Sequence, residues 1–368
     1  MEFTVKQPAL QKELEVLQGV VERKNTVPIL GNVLLLADDE GLELLATDLE
    51  VSVRSRTEAA VKSPGGISVS ARKLYEIIRL LPDNNVTVKD DGQSWVTITC
   101  GKSRFRIMGL PKDDFPTLPS SGKTTQVKIP GALLRKMIEK VIFAVTPDDS
   151  RFALNGALMI LGTKAIALVA SDGFRLAHVT EDLDKGPAEE ERILVPRKAL
   201  SEIARITSSS DQDVFYCRKD NHLFFHIGRT HLSSRLLEGT FPNFEKVIPR
   251  GNDKAVEFES AVLSTGLNRV SVLANEKSRA VKLSLKSGKA EVSSRNPEMG
   301  EANEVLATDY SGEDVEIGFN AKYLLDFLAV VGTEKVRIEL KDEVSQGVLK
   351  PGGEAKGEYT YVIMPMRI

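Results

Sequence analysis

The sequence predicts an α+β fold of three repeated domains, each with two helices packed on antiparallel sheets. Two sets of markers recur at about a third of the 368-residue length, and a fixed long period is the signature of duplicated structural units. The segment SARKLYEIIRLL from Ser70 returns as VPRKALSEIARI from Val195 and FNAKYLLDFLAV from Phe319, which places Lys73, Lys198 and Lys322 125 and 124 residues apart. A turn-like segment returns at Asp48 (TDLEVSVR), Asp172 (SDGFRLAH) and Asn296 (SRNPEMGE), 124 residues apart each time. The third observation is the hydrophobic pattern between the markers: helical periodicity twice per repeat and alternation elsewhere.

Taken in order, the first helix of each repeat carries Leu10, Leu14, Leu17 and Val21, then Leu134, Ile138 and Val141, then Leu263, Leu267 and Val270. The second carries Leu74, Ile78 and Leu81, then Leu200 and Ile203, then Leu324, Leu328 and Val331. These spacings predict helices over 8–21, 71–81, 131–144, 196–206, 260–274 and 320–331, each with one apolar face. Short runs such as Leu42 to Leu45, Val86 to Val88, Val96 to Thr99, Leu223 to Ile227 and Val336 to Leu340, set off by Gly, Asn and Asp, read as strands. Phe115-Pro116 and Phe241-Pro242 close the first two repeats, and YVIMPMRI closes the third. Turn-rich stretches at 119–123 and 249–253 set the expected domains at 1–121, 122–250 and 251–368.

Composition narrows the function classes. With 42% hydrophobic and 27% charged residues, the chain can bury several cores. No apolar run nears the ~18 residues that span a bilayer, and no signal-like segment follows Met1, so a cytoplasmic protein is expected without a membrane partner. Cys100 and Cys217 lack a CxxC partner and read as small buried hydrophobes. His222 and His226 stand four apart in strand-like sequence, too far apart for easy chelation. Asp48, Asp172 and the run Glu189 to Glu191 are the candidate metal ligands of a nucleic-acid enzyme. Asn296 at the position equivalent to Asp48 and Asp172 favours a shared turn-capping role instead. No P-loop, HExxH or nucleophile elbow is present. The expectation is a non-enzyme without a cofactor or metal.

Net charge is only −3, from 49 basic and 52 acidic residues, which by itself does not indicate a nucleic-acid binder. Its distribution does more. The six helical segments hold twelve Lys/Arg and six Asp/Glu, so +6 lies in the helices and −9 elsewhere. Arg72 with Arg79, Lys136 with Lys140, and Lys198 with Arg205 fall away from the apolar faces. Single faces of this kind are usually solvated, but repetition against an acidic remainder points to a shared anionic partner. If two chains set twelve helices on one inner wall at 8–10 Å spacing, the circle measures about 34 Å across, and a duplex of ~20 Å passes through it. Such a ring needs few phosphate contacts, loose enough to slide.

MEFTV, TVPILGNVLL from Thr26, TDLEVSV from Thr47, SDGFRLA from Ser171, FPNFEKVIP from Phe241, ANEK from Ala274, NPE at Asn296 and the terminal YVIMPMRI together carry a resemblance. Over its whole length the chain resembles the beta sliding clamps, the beta subunits of bacterial DNA polymerase III. The resemblance implies three clamp domains forming half of a head-to-tail homodimeric ring around double-stranded DNA. Its implied partners are the polymerase III catalytic subunit, the clamp loader, and other polymerases and repair proteins that dock through short hydrophobic motifs. The implied peptide pocket comprises Leu154, Ser171, Gly173, Phe174, Arg175, Leu176, Pro242, Lys246, Val247, Val344, Val362, Met364, Pro365, Met366 and Arg367. Met364 and Met366 suit varied partner sequences because the thioether side chain is deformable. Ser171, Phe174 and Lys246 stand where the family commonly has Thr, His and Arg, so peptide preference is open to retuning. The DNA-facing set is Arg23, Lys24, Arg72, Arg79, Lys136, Lys140, Arg151, Arg197, Lys198 and Arg205. Arg151-Phe152-Ala153 keeps one aromatic where the best-known members have more. At the ring joint the resemblance sets Lys73, Lys102, Arg104 and Phe105 against Val272, Leu273, Glu298, Glu301 and Glu304 of the next copy, basic against acidic.

Overall fold

The helical periodicities are realised almost where the sequence puts them. The computed structural model describes residues 1–21, 27–146, 151–208, 211–353 and 357–367. Among these it holds six α-helices: α1 Gln7–Gln18, α2 Ala71–Ile78, α3 Gly131–Val141, α4 Arg197–Ser208, α5 Ser260–Ser271 and α6 Ala321–Leu328. Several ends fall short of the expected ones for local reasons. α2 tightens into i to i+3 turns at Leu80 and Leu81 ahead of Pro82, which disfavours helical backbone in the residue before it. α3 runs on as a 3₁₀ turn over Ile142–Ala144. α1 stops before Gly19, which lies against the Glu202 carboxylate of α4, so that a larger residue there would displace that side chain.

The described residues form two compact units. One is Met1–Arg135 with Lys198–Leu236, the other Lys136–Arg197 with Leu237–Ile368. The central third is thus divided, and each half completes a sheet begun by a neighbouring third. In the first unit, Thr230–Arg235 pairs with Val51–Thr57 (Leu232 opposite Val53) inside a thirteen-stranded antiparallel sheet. Ser103–Pro111 changes partner part-way, pairing through Met108 with Trp95–Cys100 and from Gly109 with Gly65–Ser70. Gly109 is required there, since a Cβ would sit 2.7 Å from the Ser68 carbonyl oxygen. α1 and α2 bury Leu10, Leu14, Leu17, Leu74 and Ile78 against one another and this sheet. Each such side chain stabilises the fold by ~1.5–3 kcal/mol of transfer energy.

The second unit contains an eight-stranded sheet, joined where Arg175–Asp182 pairs with Glu358–Ile363, and a four-stranded sheet ending in Gly300–Ala307 and Val315–Asn320. Phe143, Phe327, Tyr359 and Tyr361 cluster with ring centroids 5.1–5.6 Å apart. The buried tyrosine hydroxyls stay satisfied: Tyr359 donates to the Lys140 carbonyl at 2.7 Å and Tyr361 to the Tyr323 carbonyl at 3.0 Å. Cys100 and Cys217 are buried and unbridged, as expected of small hydrophobes.

Strand register corrects the repeat alignment by one residue. Ser70, Pro196 and Asn320 lie opposite Asn32, Gly156 and Ala280, which are themselves 124 residues apart. Ser70 and Asn320 then cap α2 and α6. Counting from those positions, the counterpart of Lys198 and Lys322 is Arg72, and Lys73 falls one place further on. The motif RK hid this shift because both of its residues are basic.

His222 and His226 do not meet. His226 faces His231 on the adjoining strand instead, with the rings edge-on at 4.4 Å, their Nδ1 atoms in hydrogen-bond contact and His226 Nε2 3.3 Å from Ser121 Oγ. Burial holds both imidazoles below the usual histidine range, helped by His231 at His226 and by Arg54 at His231. Below the unfolded pKa of about 6.5 the unfolded chain takes up protons that the folded pair refuses, so this contribution is intact above that pH and is lost as pH falls. The melting temperature should fall from pH 7.5 to 5.5, and His226→Gln/His231→Gln should flatten the fall; an undiminished pH dependence in that variant would contradict the assignment.

Candidate functional site

The second unit brings the C-terminal tail alongside the turn that follows Ser171. Leu176 lies opposite Val362 and Arg175 opposite Ile363, and Met364 N extends the pairing to the Phe174 carbonyl at 2.9 Å. Asp172 Oδ1 accepts from Phe174 N (2.9 Å) and Arg175 N (3.1 Å), while Ser171 Oγ accepts from Gly173 N and donates to the Arg175 carbonyl. Gly173 has φ of +90°, a left-handed conformation that favours glycine. Asp48 and Asn296 accept in the same way from Glu50 N and Glu298 N. Turn capping is therefore the role of all three equivalents.

Beside this turn, Leu158, Val169, Leu176, Leu194, Phe241, Phe244 and Val362 make an apolar floor, with Leu154 and Ile248 half-buried against it. Around it Phe174 is 56% exposed, Met364 39% and Val247 37%, and Pro242 and Lys246 are exposed too. Scattered apolar exposure is ordinary, but here several large exposed side chains surround one floor. A recess of about 680 Å³ takes in Val344, Pro365, Met366 and Arg367, together with Lys282, Glu316, Ile317, Gly318 and Glu343. The tail is anchored there because Met366 N donates to the Gly318 carbonyl at 2.8 Å. Lys282, Glu316 and Glu343 carried no motif in the sequence; Lys282 lies opposite Gly318, where the tail bridges the strand Val315–Asn320 that carries Glu316.

Arg175 sits beneath the site. It is 8% exposed, its Nε donates to Asp172 (2.9 Å), its Nη1 to Asp326 (2.6 Å) and its Nη2 to the Phe143 carbonyl (2.5 Å), and it stacks on Tyr323 at 4.2 Å. Arg151 braces the same turn, donating to the Asp172 carbonyl at 2.9 Å.

Several expected basic faces are engaged within the fold. Arg205 donates to the Glu15 and Val16 carbonyls, and Lys198 to the Val20 carbonyl and the Asp48 carboxylate. Cations meeting the carbonyl end of α1 compensate its dipole and its orphan acceptors. Lys140 is half-buried over the Tyr359 ring with Glu181 at 3.7 Å, and Arg197 donates to the Val145 carbonyl. Arg72, Arg79 and Lys136 are exposed. Lys73 and Arg72 hold the Glu76 carboxyl down to about 2. Arg23 and Lys24 lie outside the described residues.

Family models match three successive stretches, described as the DNA polymerase III beta subunit N-terminal domain over residues 1–119, central domain over 128–243 and C-terminal domain over 245–367. The chain belongs to the DNA polymerase III beta subunits, the beta sliding clamps. A beta sliding clamp of Pseudomonas aeruginosa is 38% identical and one of Pseudomonas putida 37%, each over the full length of both chains. The crystal structure of the Pseudomonas aeruginosa subunit superposes with a TM-score of 0.94 at 37% identity, and that of the Bacillus subtilis clamp with 0.95 at 27%, each match covering this whole chain. Members are DNA sliding clamps for polymerase processivity, not enzymes, and so is this chain. Among the described residues no helix is long and apolar enough to cross a membrane.

Removing one partner from a buried ion network leaves an uncompensated charge at a cost of ~3–5 kcal/mol. Arg175→Ala should therefore lower the urea midpoint markedly through Asp172 and Asp326. Arg79→Ala, at an exposed position, should leave the midpoint unchanged, and equal effects of the two would contradict the buried network.

Proposed function

We propose that two copies close head to tail into a ring around double-stranded DNA and, in the bacterial cytoplasm, tether the polymerase III catalytic subunit, the clamp loader and other polymerases and repair proteins by their short hydrophobic motifs. The domain limits in this reading are 1–121, 122–250 and 251–368. The observation that carries it is a pair of complementary sheet edges. Residues 103–108 pair on one side only among the described residues, and so does Gly300–Ala307. The first edge exposes Lys102, Arg104, Phe105 and Met108; the second exposes Glu298, Met299, Glu301 and Val305, with Val272 74% exposed nearby. Open edges attract further strands, and opposite charge at opposite ends selects a head-to-tail partner over a symmetric one.

Arg79 and Lys136, exposed on α2 and α3, support the DNA-facing reading, with charge but no base-reading geometry. The floor beside Gly173 and the deformable Met364 support capture of an apolar peptide. Val344, Pro365, Met366 and Arg367 extend the surface across the tail.

Two variants test the halves of this reading separately. Val272→Ala/Leu273→Ala should shift the sedimenting species from dimer to monomer while leaving the melting profile of each domain in place; an unchanged dimer would refute that joint. Deletion of residues 364–368 should abolish binding of a short hydrophobic peptide in calorimetry without changing the dimer, and retained affinity would refute the pocket.

A further inference from the structure

Each unit contains one joint between consecutive repeats, and each joint is tied by the carboxylate of the capped turn. In the first unit Asp48 is a buried side chain whose Oδ1 accepts from Glu50 N (2.9 Å) and Val51 N (2.7 Å), leaving Oδ2 to pair with Lys198 at the start of α4. In the second unit Asp172 Oδ1 accepts from Phe174 N and Arg175 N, and Oδ2 pairs with Arg175 Nε at 2.9 Å. From there Arg175 reaches Asp326 at 2.6 Å, which Lys322 at the start of α6 also contacts at 2.8 Å. The pattern is a turn carboxylate, with one oxygen on backbone N–H groups and the other committed to a cation network that includes the second residue of the following repeat's helix.

The third turn, next to the open edge Gly300–Ala307, has Asn296 in this position. Asn296 is buried, and its Oδ1 accepts from Glu298 N at 3.0 Å. The atom that replaces the second carboxylate oxygen is an amide nitrogen, which donates and cannot accept from a cation. By strand register the counterpart of Lys198, which meets the Asp48 carboxylate directly, is Arg72 of the following repeat, and for the last repeat that belongs to another copy. Arg72 already shows the intrahelical pairing of its counterpart: Arg72 to Glu76 at 2.8 Å parallels Lys322 to Asp326.

We infer that Asn296 makes the joint between copies the weak one in the ring, by withholding the carboxylate that the next copy's Arg72 would pair with. This inference rests on the head-to-tail reading above, and it moves Arg72 from the DNA-facing set to the joint. The two internal joints thereby keep a buried turn carboxylate that the external joint lacks, which leaves the external joint on its exposed charge pairs and the more readily separable, as a ring that must open onto DNA requires. The partner at this surface is a second copy of the same chain, presenting the N-terminal turn of α2.

Asn296→Asp changes one atom of the side chain and keeps its turn-capping oxygen. Measured by sedimentation at low salt, it should lower the dimer dissociation constant about tenfold. The gain should shrink as salt rises and vanish in an Arg72→Gln background. No gain, or the same gain without Arg72, would overturn the inference. If the unaltered chain sediments as a monomer at micromolar concentration, the head-to-tail reading falls first, a result distinct from a dimer that ignores residue 296.

Discussion

Antiparallel sheets end in unpaired N–H and C=O groups, and covering those edges is the constraint that organises this molecule. Consecutive repeats solve it for one another: Thr230–Arg235 covers Val51–Thr57, and Glu358–Ile363 covers Arg175–Asp182. The central repeat is consequently shared between two units. Several edges still stay open among the described residues, and two of them, residues 103–108 and Gly300–Ala307, belong to the first and third repeats. Their charges have opposite signs, the complementarity on which the proposed head-to-tail contact rests. The proposed peptide site depends on the same pairing, because Arg175–Asp182 and the C-terminal strand bring the Gly173 turn beside Met364.

Electrostatics follow from this arrangement. Part of the positive charge holds repeats together: on α4, Lys198 and Arg205 close the carbonyl end of α1, and on the strand Arg175–Asp182, Arg175 joins Asp172 to Asp326. Arg79 and Lys136 remain exposed. A surface that must let a duplex slide benefits from few and exposed cations, since each phosphate contact adds to affinity and slows movement.

The parts of the fold written in local chemistry were legible in the sequence. Leu10, Leu14 and Leu17 announced α1 by spacing, and the Asp48, Asp172 and Asn296 turns announced themselves by recurrence with the residue types that cap turns. The floor residues Leu154, Leu176 and Val362 came from the family resemblance and fall on one apolar cluster. Register was not legible to one residue, because Arg72 and Lys73 are chemically alike. The burial of Arg175 was also hidden: its partner Asp326 lies 151 residues away, and no local pattern distinguishes a buried guanidinium from a solvated one. For the same reason Lys198 and Arg205 looked like a free face on a helical projection, whereas the groups that engage them belong to α1 and the turn at Asp48.

Enclosure of DNA is the claim to which all of these features lead, and retention on plasmid measures it most directly. After loading onto circular DNA, the chain should stay bound through gel filtration and be released once the plasmid is cut at a single site. Equal retention on circular and linearised plasmid would mean that it grips DNA by surface contact, and would contradict the account.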